Sequence, residues 1–284
     1  AYKRSILYYG NWTAFRRSLS VKILYTRKIY NMSETFHIIS DGSCDLPAEL
    51  VKERNITVVP FYVSFDEEHY FKENVEIGIR DFYRMMVEKK GVYPKSSMPS
   101  IQDYEDAFLP FAKAQIPVIC ICITTKFSGS MQSALNAKNL ILEKYPQAQI
   151  TVIDATINTV LQGQYVLEAA SLRDHGVSYQ DTIARLEEIK STGRIFFTVG
   201  NMEYLKHGGR IGKVAALAGG ALDIRPIITL KQGEIFPSGI DRGRKRTLKK
   251  VMNLLFDYLR DSSLGIESYS IAVGYGYDIE EGAV

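Results

Sequence analysis

Hydroxyl side chains are concentrated where a buried strand is predicted to end and a helix to begin. Val118–Ile123 is entirely apolar, which is typical of a strand covered on both faces of a parallel sheet. The hydroxyl groups after it belong to Thr124, Thr125, Ser128 and Ser130. Backbone amides at a helix start have no intrahelical partner and carry partial positive charge. The stretch therefore suits an anion, although Ser128 or Ser130 can equally cap its own helix.

No catalytic base accompanies these hydroxyl groups in the sequence. The four histidines, His37, His69, His175 and His207, are scattered along the chain. The sequence has no G-x-S-x-G elbow, no G-x-x-x-x-G-K-[ST] loop and no G-x-G-x-x-G fingerprint. Many neutral donors without a base favour holding an anion over transforming it. A phosphotransferase or hydrolase of small anions, using the Ser128 loop, stays open as the alternative.

Composition restricts the class of protein. Of the 284 residues, 46% are hydrophobic and 24% are charged, as in ordinary globular proteins. No apolar run reaches the roughly 18 residues that a membrane-spanning helix needs, so stable membrane insertion is not expected. The net charge of +3 is too small to indicate a nucleic-acid partner, even with the basic run Arg242–Lys250.

The cysteines predict neither a disulfide framework nor a metal site. Cys44, Cys120 and Cys122 cannot all pair, and the last two face the same side of a predicted strand. No Cys or His cluster accompanies their C-x-C spacing, so zinc is not expected. We therefore expect a reducing, cytoplasmic compartment and no metal or cofactor.

Strands and helices alternate up to about residue 190, which predicts a doubly wound, mostly parallel sheet. Its strands are predicted at Phe36–Ser40, Ile56–Ser64 (interrupted by Pro60), Val118–Ile123 and Gln149–Ile153. Such sheets bind ligands beyond the carboxyl ends of their strands. Three polar segments lie there and are expected to share one rim: Asp41–Ser43, Thr124–Ser130 and Asp154–Thr156.

The chain divides into three predicted parts. Residues 1–31 form an extension of unclear origin that contains no Asp or Glu, and Met32 could be the natural start. Residues 32–190 are predicted to form the N-terminal α/β domain. Residues 191–284 are predicted to form a second, smaller α/β domain with a hairpin at Ile224–Pro237, a helix reaching Arg260 and a last strand at Ser268–Val273.

Five motifs, in this order, resemble the DegV family of bacterial fatty-acid-binding proteins. The resemblance runs from about Phe36 to Val273. The motifs are SDGSCDLP (Ser40–Pro47), KSSMPS (Lys95–Ser100), ITTKFSGSMQSA (Ile123–Ala134), EYLKHGGRIGK (Glu203–Lys213) and DIRPIITL (Asp223–Leu230). Any one of them is weak, but the ordered set is specific.

The resemblance implies two α/β domains with a long-chain fatty acid between them. Hydroxyl groups at Ser96 and Ser128 would hold the carboxylate. The same end of the ligand is expected to involve Ser97, Thr124 and Thr125. DegV proteins are binding subunits, which implies that this chain is not an enzyme and that a partner fatty-acid kinase phosphorylates the presented carboxylate.

Two arginines are candidates for a partner-facing surface, and the sequence differs from the family pattern at two places. Arg210 and Arg244 are candidates for the surface that faces the kinase or the transferred phosphate. Lys126 stands where the family loop usually has a glycine. Nothing after Val273 matches the family's glycine-rich segment with its histidine, so a truncated end and a diverged end both stay open.

Overall fold

The computed structural model describes residues 35–200, 202–217 and 224–276. The predicted 1–31 extension, the start at Met32 and the segment after residue 276 lie outside the described residues. Within those ranges, no helix is both long and apolar enough to cross a membrane.

The secondary structure alternates between strands and helices, as the sequence predicts for the first two thirds of the chain. The strands are β1 His37–Asp41, β2 Ile56–Val59, β3 Tyr62–Ser64, β4 Phe71–Lys72, β5 Lys95–Ser97, β6 Val118–Cys122, β7 Ile150–Asp154, β8 Ile195–Thr198, β9 Ile224–Lys231 and β10 Glu234–Arg242. The helices are α1 Ala48–Glu53, α2 Ile79–Glu88, α3 Ile101–Ala114, α4 Ser130–Lys144, α5 Thr159–Asp174, α6 Tyr179–Ile189, α7 Glu203–His207 and α8 Arg244–Asp261.

A four-stranded parallel sheet in the order β2-β1-β6-β7 forms the centre of the fold. Successive residues of β6 face opposite sides, because side chains alternate along a strand. Ile119 and Ile121 pack in one apolar cluster, while Cys120 and Cys122 pack in another. Both faces of the sheet are thus buried, which explains the uninterrupted apolar run and confirms the predicted α/β class.

The interruption predicted at Pro60 within Ile56–Ser64 is confirmed, but the two halves are separate strands of different sheets. Pro60 has no N–H to donate and ends β2 at Val59. The chain then enters β3, which belongs to a separate antiparallel sheet in the order β4-β3-β5. In this small sheet Val63 pairs with Ser96. The break therefore brings β5, which contains Ser96 and Ser97, beside the central sheet.

Helix α3 begins with a capping box formed by Ser100 and Asp103. The Ser100 hydroxyl accepts from the Asp103 amide, and the Asp103 carboxylate accepts from the Ser100 amide. Asp103 also accepts from the Tyr62 hydroxyl at 2.9 Å and from Lys72 Nζ at 2.8 Å. One carboxylate thus ties the small sheet to the start of α3.

The C-terminal part contains an antiparallel sheet in the order β10-β9-β8, with α8 following β10. Ile228 and Leu230 of β9 share an apolar cluster with Ile119 and Ile121 of β6, so one core continues across the predicted boundary near residue 190. The last strand predicted at Ser268–Val273 is wrong. Residues 266–268 form a 3₁₀ turn, and 269–276 lie outside any strand or helix.

Candidate functional site

The rim where the central strands end is organised by a buried carboxylate, Asp41. One of its oxygens accepts hydrogen bonds from the Ile123 amide at 2.9 Å and the Ser130 hydroxyl at 2.7 Å. The other accepts from Gln162 Nε2 at 2.9 Å and from the Ser43 amide at 3.3 Å. Burial raises the pKa of Asp41, and these four donors oppose that rise. Asp41 thereby fixes the loop after β6 and the start of α4.

Thr124 and Thr125, both predicted to bind the ligand, lie at this rim with their hydroxyl groups engaged by the protein. Thr124 is buried and donates to the Gly233 carbonyl oxygen at 3.4 Å. Thr125 is exposed and donates to Asp154 Oδ2 at 2.7 Å. The three polar segments after β1, β6 and β7 therefore meet, as the parallel topology predicts.

Ser128 lies in the same loop and is half-buried. Its Oγ accepts from the Ser130 amide at 3.2 Å, just before α4 begins. This oxygen therefore satisfies one free amide at the start of the helix, although the N-cap itself is Gly129 and has no side-chain cap. Because a hydroxyl both donates and accepts, the Ser128 proton can still be directed at an anion. Capping and anion binding are compatible at this residue.

Ser96 lies on the wall of a cleft between the small sheet, α2 and the rim of the central sheet. In this structure the cleft itself encloses about 40 Å³. Its apolar lining comes from Phe61, Val63, Ile77, Ile79, Phe82, Pro94 and Ile123. Its polar lining comes from Ser43, Asp45, Glu73, Asn74, Lys95, Ser96 and Thr159. Ser97 is exposed on the next position of β5 and does not line the cleft.

The Ser96 and Ser128 segments are in contact, although Ser128 is not part of the cleft wall. The contact is made by Met98, because a Cβ built on Gly129 would lie 2.7 Å from the Met98 sulfur. A side chain at Gly129 would displace this sulfur, which is the flexible end of an exposed side chain. The chain after Ser96 therefore lies against the loop of Ser128 through a contact that can adjust.

The two arginines singled out in the sequence occupy different surroundings. Arg210 is half-buried and donates from Nε to the Phe127 carbonyl oxygen at 3.0 Å, so it contacts the Ser128 loop. Arg244 is half-buried in the first turn of α8. A kinase-facing or phosphate-facing role for either side chain stays a prediction.

Most of the cleft wall was not foreseen from the sequence. Phe82, Ile79 and Ile77 come from α2 and the segment before it, and Glu73 follows a strand of only two residues. The sequence feature that points to this wall is the helical spacing of apolar residues in α2. This spacing indicates that the helix has an apolar face, but it does not indicate which part of the fold that face covers. Among the described residues, no three His, Cys, Asp or Glu side chains are grouped so that they could hold a metal ion.

Comparison with known proteins identifies the family. The family model described as "Uncharacterised protein, DegV family" matches residues 35–283. A DegV domain-containing protein of Clostridium acetobutylicum is 33% identical over 220 residues, covering 78% of this chain and 76% of that protein. Protein DegV of Bacillus subtilis is 31% identical over 232 residues, covering 81% of this chain and 79% of that protein.

Two solved structures share both the fold and part of the sequence. A stearic-acid-binding protein from Eubacterium ventriosum has a TM-score of 0.83 and 42% identity, with 87% of this chain and 84% of that chain covered. The fatty acid binding protein DegV from Bacillus subtilis has a TM-score of 0.70 and 28% identity, with 80% and 79% covered. The resemblance carried by the five motifs is thus confirmed, and the chain belongs to the DegV family.

Proposed function

We propose that this chain binds a long-chain fatty acid in the cleft between the small sheet, α2 and the central rim. All residues that line this cleft belong to the predicted N-terminal domain (32–190), so the proposed site differs from the one between two domains that the resemblance implies. The observation that carries the proposal is the composition of the wall, where apolar side chains surround a space bordered by Ser96. Ligand pockets are mostly apolar, with a few polar groups that fix the orientation of the ligand. The stearic-acid-binding relative supports the choice of ligand.

The tail and the carboxylate would contribute differently to binding. A tail of about 16 methylenes corresponds to on the order of 12 kcal/mol of gross transfer free energy, at about 0.8 kcal/mol for each CH₂. Association and ordering offset a large part of that. The hydroxyl groups of Ser96 and Ser128 would therefore determine where the carboxylate lies more than how tightly the whole molecule binds.

The chain would act as a binding subunit whose partner is a fatty-acid kinase. Thr125 and Lys126 are exposed beside the proposed carboxylate site, so a partner protein can approach this end of the ligand. An enzymatic role for the Ser128 loop has less support. Within the described part of the chain, the Ser128 hydroxyl has the Ser130 amide at hydrogen-bond distance, and no carboxylate or imidazole is there to take its proton.

The binding proposal is tested by titrating the delipidated protein with oleate. Submicromolar binding is expected, with weaker binding in Ser96→Ala and Ser128→Ala. Ser171→Ala, on α5 and outside the cleft wall, is the matched control. A delipidated, folded protein that takes up no oleate would overturn the proposal.

The kinase proposal needs a second assay, with a fatty-acid kinase and ATP. Acyl phosphate should form only when kinase, oleate and this chain are all present. Turnover of phosphoryl or ester substrates by the isolated chain, abolished by Ser128→Ala, would favour the enzyme alternative instead.

A further inference from the structure

A short segment of the C-terminal part contacts both of the loops that carry the proposed ligand hydroxyls. Lys95 Nζ donates to the His207 carbonyl oxygen at 3.1 Å. Arg210 Nε donates to the Phe127 carbonyl oxygen at 3.0 Å. Lys95 directly precedes Ser96, and Phe127 directly precedes Ser128. Each of the two anchors is therefore one residue away from a proposed ligand hydroxyl.

The anchor on the Ser96 side is strengthened by aromatic contacts. The rings of Tyr93 and His207 are stacked, with centroids 4.0 Å apart and an interplanar angle of 11°. Tyr93 also meets Tyr204 edge-on at 5.1 Å. Because Tyr93 lies two residues before Lys95, these contacts hold the entry of β5 against α7.

The chain between the two anchors forms a closed turn. Gly209 has φ +70°, a left-handed conformation that favours glycine. The Arg210 amide donates to the Leu205 carbonyl oxygen at 3.1 Å, and Arg210 Nη1 donates to the Gly208 carbonyl oxygen at 2.5 Å. The distance from the His207 carbonyl to the Arg210 side chain is thereby constrained.

We propose that Glu203–Arg210 is a positioning clamp that sets the separation of the Ser96 and Ser128 hydroxyls, and through it the affinity for an acyl carboxylate. This inference rests on the proposed function and gives Arg210 an internal role. Hydrogen bonds weaken steeply with distance and angle, so a shift of about 1 Å at either hydroxyl lowers carboxylate affinity. The acyl tail contacts other walls, so the clamp acts on the headgroup alone.

The test compares two ligands with the same tail, oleate and oleyl alcohol. Arg210→Met keeps much of the length of the side chain but removes its hydrogen-bond donors. It should weaken oleate binding about tenfold, a factor that corresponds to the free energy of about one hydrogen bond. Oleyl alcohol binding should change less than about twofold. Arg210→Lys retains a donor and should recover part of the oleate affinity. Tyr93→Leu removes the ring stacked on His207 without changing the charge, and it should show the same selectivity for the acid.

Controls separate the clamp from general effects. Arg185→Met removes a surface arginine of α6 that pairs with Glu188, and it should change neither affinity. In a Ser128→Ala background, Arg210→Met should cost less than it does alone, because both act through the same hydroxyl.

The outcomes distinguish failure of the clamp from failure of the proposed function. Wild-type protein that binds neither ligand contradicts fatty-acid binding itself. If wild-type protein binds oleate, but Arg210→Met and Tyr93→Leu each change the affinities for both ligands equally or change neither, the clamp is overturned and the proposed function stands. If Arg210→Met does not fold, Tyr93→Leu decides the question at the opposite anchor.

Discussion

Asp41 and Ser130 are 89 positions apart in the sequence, and their side chains are joined by a buried hydrogen bond of 2.7 Å. The Ser130 hydroxyl also lies 2.7 Å from the Tyr104 hydroxyl. This chain of polar groups connects the end of β1, the first residue of α4 and the first turn of α3. The loop that holds Ser128 is therefore positioned by buried side chains that do not reach the cleft.

Replacing Asp41 with asparagine should destabilise the protein and loosen this loop. In asparagine an NH₂ group, which cannot accept a hydrogen bond, replaces one of the two carboxylate oxygens. At least one buried donor that now binds Asp41 therefore loses its partner. We expect the free energy of unfolding to fall by on the order of 3 kcal/mol, as measured by urea denaturation. Ser130→Ala should cost less, because it removes one donor. An Asp41→Asn variant as stable as wild type would contradict the role given to this carboxylate.

The size of the cleft should determine which acyl chains bind. Ile79 lines the cleft from the first turn of α2, whereas Val87 is exposed on the same helix. Ile79→Phe should narrow the space and shift the preference from 18-carbon toward shorter acids, measured by competition among saturated acids. Val87→Phe adds the same ring to the same helix outside the cleft and should leave the preference unchanged. Equal effects of the two variants would exclude α2 as a wall of the acyl site.

The central sheet and its rim could be predicted because their signals are local. The apolar run of β6 and the hydroxyl-rich turn after it are adjacent in sequence, and parallel topology then gathers the strand ends. The sequence could not decide which role Ser128 and Ser130 each take. Ser130 is committed to Asp41 and Tyr104, partners that only the fold brings near.

The cleft wall could not be predicted because its strands are too short to show a period. β3 and β5 have three residues each and β4 has two. An alternating pattern is also no guarantee of a strand, as Ser268–Val273 shows. That segment has the right residue types, but a strand needs an edge to pair with, and the side chains of Ile271 and Val273 stay exposed.

Lowering the pH should destabilise the protein over the range in which His37 binds a proton in the unfolded chain but not in the folded one. Burial and the nearby Arg173 charge lower the pKa of His37 from 6.5 to about 4. Between these values the unfolded chain binds a proton that the folded chain does not, so stability falls as the pH drops from about 6.5 to about 4. His37→Gln should flatten this part of the stability profile, measured by urea denaturation at several pH values. His175→Gln, at an exposed histidine, is the matched control, and an unchanged profile in His37→Gln would assign the acid sensitivity to other groups.

The hairpin tip of the C-terminal sheet should tolerate no side chain at Gly233. This residue has φ +83°, and a Cβ there would lie 2.5 Å from Thr124 Oγ1. Gly91 has nearly the same conformation, φ +82°, but a Cβ there meets nothing within 4 Å. Gly91→Ala therefore measures the cost of the left-handed backbone alone, about 1 kcal/mol.

Gly233→Ala adds a steric clash to that backbone cost and should destabilise by roughly 1–3 kcal/mol more. Because the clash falls on Thr124, oleate binding should also weaken in this variant and not in Gly91→Ala. Thr124→Ser in the Gly233→Ala background does not remove the clashing oxygen, whereas Thr124→Ala does and should restore part of the stability. Equal losses of stability in Gly91→Ala and Gly233→Ala would show that the hairpin tip does not press on the Thr124 loop.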